Sequence, residues 1–83
     1  MKVKYFAWVR ERVGKAEETI EPPASVRTVD DLIKWLSARD DSYAYAFERP
    51  KVIRAAIGQT HVKADAAISG AREIAFFPPM TGG

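Results

Sequence analysis

The chain has 83 residues, a length that supports one domain around a single modest core and excludes two. Its 47% hydrophobic and 29% charged residues are those of an ordinary folded protein, and the absence of cysteine excludes disulfide staples, thiolate metal sites and a cysteine nucleophile. The formal net charge is only +2, with Lys and Arg interspersed among Asp and Glu, so no nucleic-acid partner is expected.

From the N-terminus, KVKYFAWV at 2–9 alternates and predicts a strand with Val3, Tyr5, Ala7 and Val9 on one face and Lys2, Lys4, Phe6 and Trp8 on the other. RERVG at 10–14 predicts a charged bridge with a helical turn ending at Gly14. EETIE at 17–21 predicts a second short strand, stopped by Pro22-Pro23. The clearest helix signal follows. Thr28 is placed to cap, Asp30 and Asp31 suit the first turn, Asp31 stands at the capping-box position, and Val29, Leu32, Ile33 and Leu36 form one apolar stripe. Trp35 lies off the centre of that stripe and reads as a flanking contact. SYAYAFE at 42–48 predicts a second short helical segment before Pro50. VIRAAI at 52–57 predicts a third strand closed by Gly58, QTHV at 59–62 begins a fourth, ADAAISG at 64–70 turns the chain, and REIAFF at 72–77 is the last strand. The order β-β-α-β-β implies an α+β fold, a mixed sheet of four to five strands covered by one main helix.

The catalytic inventory is mostly negative. His61 is the single histidine, with no second imidazole and no carboxylate at ligand spacing, and reads as a surface residue without a role; no metal site is expected. Glu17-Glu18, Asp30-Asp31 and Asp40-Asp41 are adjacent in sequence, so each pair splays and reads as solvated strand, cap or helix-end residues. Gly14, Gly58 and Gly70 are isolated turn glycines without the spacing of a phosphate-binding loop. No self-contained active site is expected. There is no run of about eighteen apolar residues and no leader-like start, so the expectation is a cytoplasmic protein away from membranes.

The stretch FFPPMTGG at 76–83 admits two readings. One is a frayed end. The other is a presenting arm: it leaves an apolar strand directly, Pro78-Pro79 stiffen it, and Gly82-Gly83 offer a bare backbone and a carboxylate able to enter a channel too narrow for a Cβ.

Three stretches, KVKYFAWVRERVG, TVDDLIKWL and above all EIAFFPPMTGG, make the chain similar to the small subunits of molybdopterin synthase, ubiquitin-like β-grasp sulfur carriers of molybdenum cofactor biosynthesis. The resemblance runs along most of the length. It departs in the slightly basic charge, where family members are often acidic, and at Gly58-Gln59, where Asn-Gln is common. It implies a single β-grasp domain over 1–83 with a protruding tail at 78–83, the first and last strands lying parallel at the sheet's centre. It also implies that a ubiquitin-activating-like adenylyltransferase uses ATP to adenylate Gly83, that a sulfur donor converts it to a thiocarboxylate, and that the sulfur passes to a cyclic pterin precursor. That transfer would occur inside a large synthase subunit, in a heterotetrameric assembly, with no cofactor bound by this chain. Gly82 and Thr81 would thread the partner's channel.

Alternation in the last strand predicts Ile74 and Phe76 buried and Phe77 outward. With neighbouring first and last strands, Phe6 and Trp8 fall on Phe77's face, and Phe6, Phe77, Pro78, Pro79 and Met80 become the expected docking surface. The alternative is that Phe6 and Trp8 are covered by Arg10 and the stems of Lys2 and Lys4. Other functional classes share the features read so far: a thiamin-pathway sulfur carrier, a protein-conjugating modifier, and a plain interaction module.

Overall fold

The computed structural model describes residues 1–79. Strand β1 (Lys2–Tyr5) is followed by helix α1 (Ala7–Val13), β2 (Glu17–Thr19), α2 (Val29–Ser37), α3 (Asp41–Ala46), a 3-10 turn (Pro50–Val52), β3 (Arg54–Ile57), β4 (Thr60–Val62) and β5 (Glu73–Phe77). The five strands form one sheet in the order β2-β1-β5-β3-β4. β1 and β5 are parallel, Lys2 opposite Glu73 through Tyr5 opposite Phe76, while every other pairing is antiparallel. The parallel central pair, edged by antiparallel strands, is the expected β-grasp arrangement. It puts the last strand in the most protected part of the sheet.

Period-two alternation sets the two faces. Val3, Tyr5, Ile74 and Phe76 point inward, each at most 1% exposed, and meet Val29, Leu32, Ile33 and Leu36 from α2 in one core. The capping box of α2 is complete: Thr28 Oγ1 accepts from the Asp31 backbone N–H at 3.1 Å, and the Asp31 carboxylate accepts from the Thr28 N–H at 3.2 Å. Trp35 flanks the core, partly buried. Asp40 caps α3 by accepting from the backbone of Ser42 and Tyr43.

The first predicted strand is too long. β1 ends at Tyr5, and the chain turns into α1, capped at its far end by Gly14 (φ +89°). The Phe6 N–H makes the last bond to β5, donating to the Phe76 carbonyl at 3.0 Å, and the Phe6 carbonyl then accepts from Val9 and Arg10. Ala7 takes a left-handed conformation (φ +52°) to make this turn, which costs an alanine roughly 1–2 kcal/mol. Burial of Val9 and Val13 on the core offsets it. The third strand likewise starts later than predicted, because Val52 closes the 3-10 turn behind Pro50.

Glu18, read as solvated, is instead a fastening point for edge strand β2. Its side chain is 12% exposed. The carboxylate accepts from the Tyr5 hydroxyl at 2.7 Å, the Tyr43 hydroxyl at 2.6 Å and the Arg39 guanidinium at 3.1 Å, so β1, β2 and the α2–α3 region meet on one group. Burial pushes the Glu18 carboxyl up, but the hydrogen bonds from Tyr43, Tyr5 and Arg39 outweigh it and hold the group below its ordinary value. Burial, reinforced by Glu18, pushes the Tyr5 and Tyr43 hydroxyls up, so both remain donors.

Glu18→Ala leaves two buried hydroxyls without their acceptor and is expected to cost about 2–3 kcal/mol, a fall in Tm of at least about 8 °C by thermal denaturation at neutral pH. A carboxyl whose folded pKa is depressed stabilises fully above its unfolded value, about 4.3, and loses that contribution as pH falls through the folded value. The Tm of the wild type should therefore drop more between neutral and strongly acid pH than that of Glu18→Gln.

Candidate docking face and tail exit

The outward face of the sheet brings together residues far apart in sequence. Phe77, the last residue of β5, stands opposite Arg54 of β3, while Ala75 stands opposite Ala56, which itself pairs with His61 of β4. The His61 ring lies 5.2 Å from the Phe77 ring, centroid to centroid. Ala56 is 8% exposed although it belongs to this outward face. On the other side of β5, Lys4 stands opposite Ala75 and its ammonium reaches Glu73 at 3.4 Å. Phe6 sits beside the end of β5 through its bond to Phe76 and is 48% exposed. Pro78 and Pro79 continue from Phe77, half-buried.

Of the predicted docking residues, Phe6, Phe77, Pro78 and Pro79 therefore gather at one end of the sheet, where β5 leaves it. Met80, Thr81, Gly82 and Gly83 lie outside the described residues. Trp8 does not join this face. Because α1 starts at Ala7, Trp8 is carried into the helical layer, packs partly buried against the core, and is covered by the Arg12 guanidinium at 4.5 Å. The Arg12 guanidinium also lies 4.1 Å from the Tyr45 ring and 3.3 Å from the Glu48 carboxylate. The cover is thus Arg12, four residues along the same helix, rather than the expected Arg10 and stems of Lys2 and Lys4.

His61 is the residue that sequence reasoning missed. Its neighbour Phe77 comes from a strand two places away in the sheet, so no local spacing signals the contact. What the face offers chemically is recognition: a half-exposed aromatic residue flanked by an imidazole and a guanidinium, next to a second exposed phenyl ring and two prolines with fixed φ.

Residues 3–83 match the model of the ThiS family. The chain belongs to that family. It is 42% identical over its whole length, and 99% of the relative's, to the molybdopterin synthase sulfur carrier subunit of Escherichia coli, and 35% identical over the same shares to that of Haemophilus influenzae. Among solved structures, it resembles a putative molybdopterin converting factor subunit 1 from Pyrococcus furiosus, with 28% identity, a TM-score of 0.70 and 95% of each chain covered. SAMP1 from Haloferax volcanii shares the fold, at 23% identity and a TM-score of 0.72 over 100% of this chain and 98% of that one. Among the described residues, no helix is long and apolar enough to cross a membrane.

Proposed function

We propose that this chain is a sulfur carrier subunit of molybdopterin synthase, acting in the cytoplasm. The observation that carries the reading is the full-length identity of 42% to a relative of that name, in a family match that extends through Gly82 and Gly83. The fold supports it, because β5 is anchored at the centre of the sheet and leads straight into Pro78-Pro79 beside an exposed aromatic face.

A carboxylate is a poor electrophile because its charge is delocalised. In this reading an activating adenylyltransferase converts the Gly83 carboxylate to an acyl-adenylate with ATP, releasing pyrophosphate. A sulfur donor then displaces AMP and leaves a thiocarboxylate. That anionic sulfur is a nucleophile made without cysteine, which the chain lacks. Inside the large subunit it attacks the cyclic pterin precursor, and the large subunit supplies the acids, bases and substrate contacts. Phe6, Phe77, Pro78, Pro79 and Met80 dock, Thr81 and Gly82 thread the channel, and two copies of each subunit form the synthase.

Incubation with the activating enzyme, ATP and a sulfide source should change the intact mass by one sulfur for one oxygen, mapped by fragmentation to Gly83. An unchanged mass, or a ladder of lysine conjugates in place of the thiocarboxylate, would overturn the reading.

A further inference from the structure

The outward face carries a charge pattern that the carrier chemistry does not require. Arg54 stands opposite Phe77, and continuing the β3–β4 register one residue past Ala55 opposite Val62 sets Lys63 opposite Arg54. The row across the sheet end where β5 leaves is therefore Phe77, Arg54, Lys63. Lys51 joins it: its carbonyl accepts from the Arg54 guanidinium at 3.0 Å, and Lys51, Arg54 and Lys63 line one hollow with Pro50 and Val62. All three cations are exposed and form no ion pair among the described residues.

Like charges directly opposite on neighbouring strands oppose folding, and no described acid offsets them here. Glu48 is held by Arg12, and Glu73 by Lys4. Asp65, in the turn after β4, forms no ion pair among the described residues. A short cationic strip that begins at the half-buried Phe77, at the base of the tail, is placed to orient a partner reaching for that tail. Complementary charge at an interface rim accelerates encounter and fixes register.

We propose that Lys51, Arg54 and Lys63 form an electrostatic guide rail that docks against an acidic strip beside the tail-receiving channel of the synthase's large subunit. The proposal rests on the sulfur-carrier reading. The occupant is a protein because the strip is continuous with Phe77, whose contact with His61 offers an apolar anchor. The net charge of +2 also leaves little general attraction for nucleic acid.

The test measures binding of the full chain to the large subunit by calorimetry or surface plasmon resonance across about 50 to 500 mM NaCl, where surface attractions become screened. The wild-type Kd should rise at least about tenfold over that range. Lys51→Glu/Lys63→Glu, which leaves the Arg54 hydrogen bond in place, should weaken low-salt binding at least about tenfold, chiefly through a slower association rate, and flatten the salt dependence. Arg54→Glu should act in the same direction, with circular dichroism checking its fold. Unchanged binding and salt slope in the folded double variant, while Phe77→Asp still abolishes binding, would overturn the rail and leave the carrier reading standing. Failure of the wild type to bind the large subunit would overturn both. Tighter binding of the wild type to duplex DNA than to the large subunit at equal salt would reassign the strip to nucleic acid and overturn the rail.

Discussion

Phe77→Asp is expected to weaken binding to the large subunit by about a hundredfold or more, measured by calorimetry, while leaving the thermal midpoint within about 3 °C of wild type. Phe77 sits on the outward face of the central strand, only half-buried in the isolated chain, with its ring against His61 and its backbone paired with Arg54. Aromatic residues at the centre of a patch that is dried by a partner account for a large share of binding energy. An aspartate there loses the apolar contact and must shed its own hydration against the partner, so both terms oppose docking. In the free protein the carboxylate stays in water, and Arg54 opposite offers it a favourable charge. Stability should therefore barely move. A variant that still binds within about threefold of wild type would show that the partner does not use this face. Phe6→Asp should lower binding in the same direction by a smaller factor, because Phe6 sits at the rim of the patch, beyond the end of β1.

The fold was legible wherever a local signal had a single physical reading. Thr28, Asp31 and the stripe Val29, Leu32, Ile33, Leu36 define α2 because cap and periodicity agree, and all four apolar residues are buried. Ile74 and Phe76 alternate with Glu73, Ala75 and Phe77, and the charge of Glu73 marks the outward face of β5. The stretch 6–9 was misread because Val3, Tyr5 and Val9 are buried under either period. Ala7 should have been inward on a strand and is exposed on the helix. The signals that favour the helix lie further along: Val9 and Val13 four residues apart, Arg10 and Arg12 in the last turn, and Gly14 just past the end.

The functional face was legible only in part. Phe77 could be placed outward from the alternation of β5 alone, and Phe6 from its neighbourhood with that strand. His61, Arg54 and Lys63 could not be placed, because their proximity to Phe77 follows from the strand order β1-β5-β3-β4, which no local pattern encodes. Glu18 shows the same limit in the core. Adjacent to Glu17, it looks like half of a solvated pair, yet alternation turns it toward hydroxyls contributed by β1 and α3.

Phe76→Ala, one residue from Phe77, is expected to do the opposite of Phe77→Asp: remove a large share of the fold's stability rather than a contact with a partner. Phe76 is fully buried in the central strand, stacked with the Tyr5 ring at 6.5 Å and edge-on to the Phe47 ring at 5.3 Å. Truncating such a ring costs about 3–5 kcal/mol, because burial is lost and the neighbours only partly close the space. A domain of this length has about 4–12 kcal/mol in total, so the variant should melt at least about 12 °C lower or lack a cooperative transition. Phe76→Leu keeps most of the apolar volume and should fall between, separating the effect of the cavity from that of the strand itself. Because β5 pairs with both β1 and β3, the damage would spread through the middle of the sheet, and docking would fail with the fold. A Phe76→Ala protein with an unchanged melting transition would mean that the core is not organised around β5.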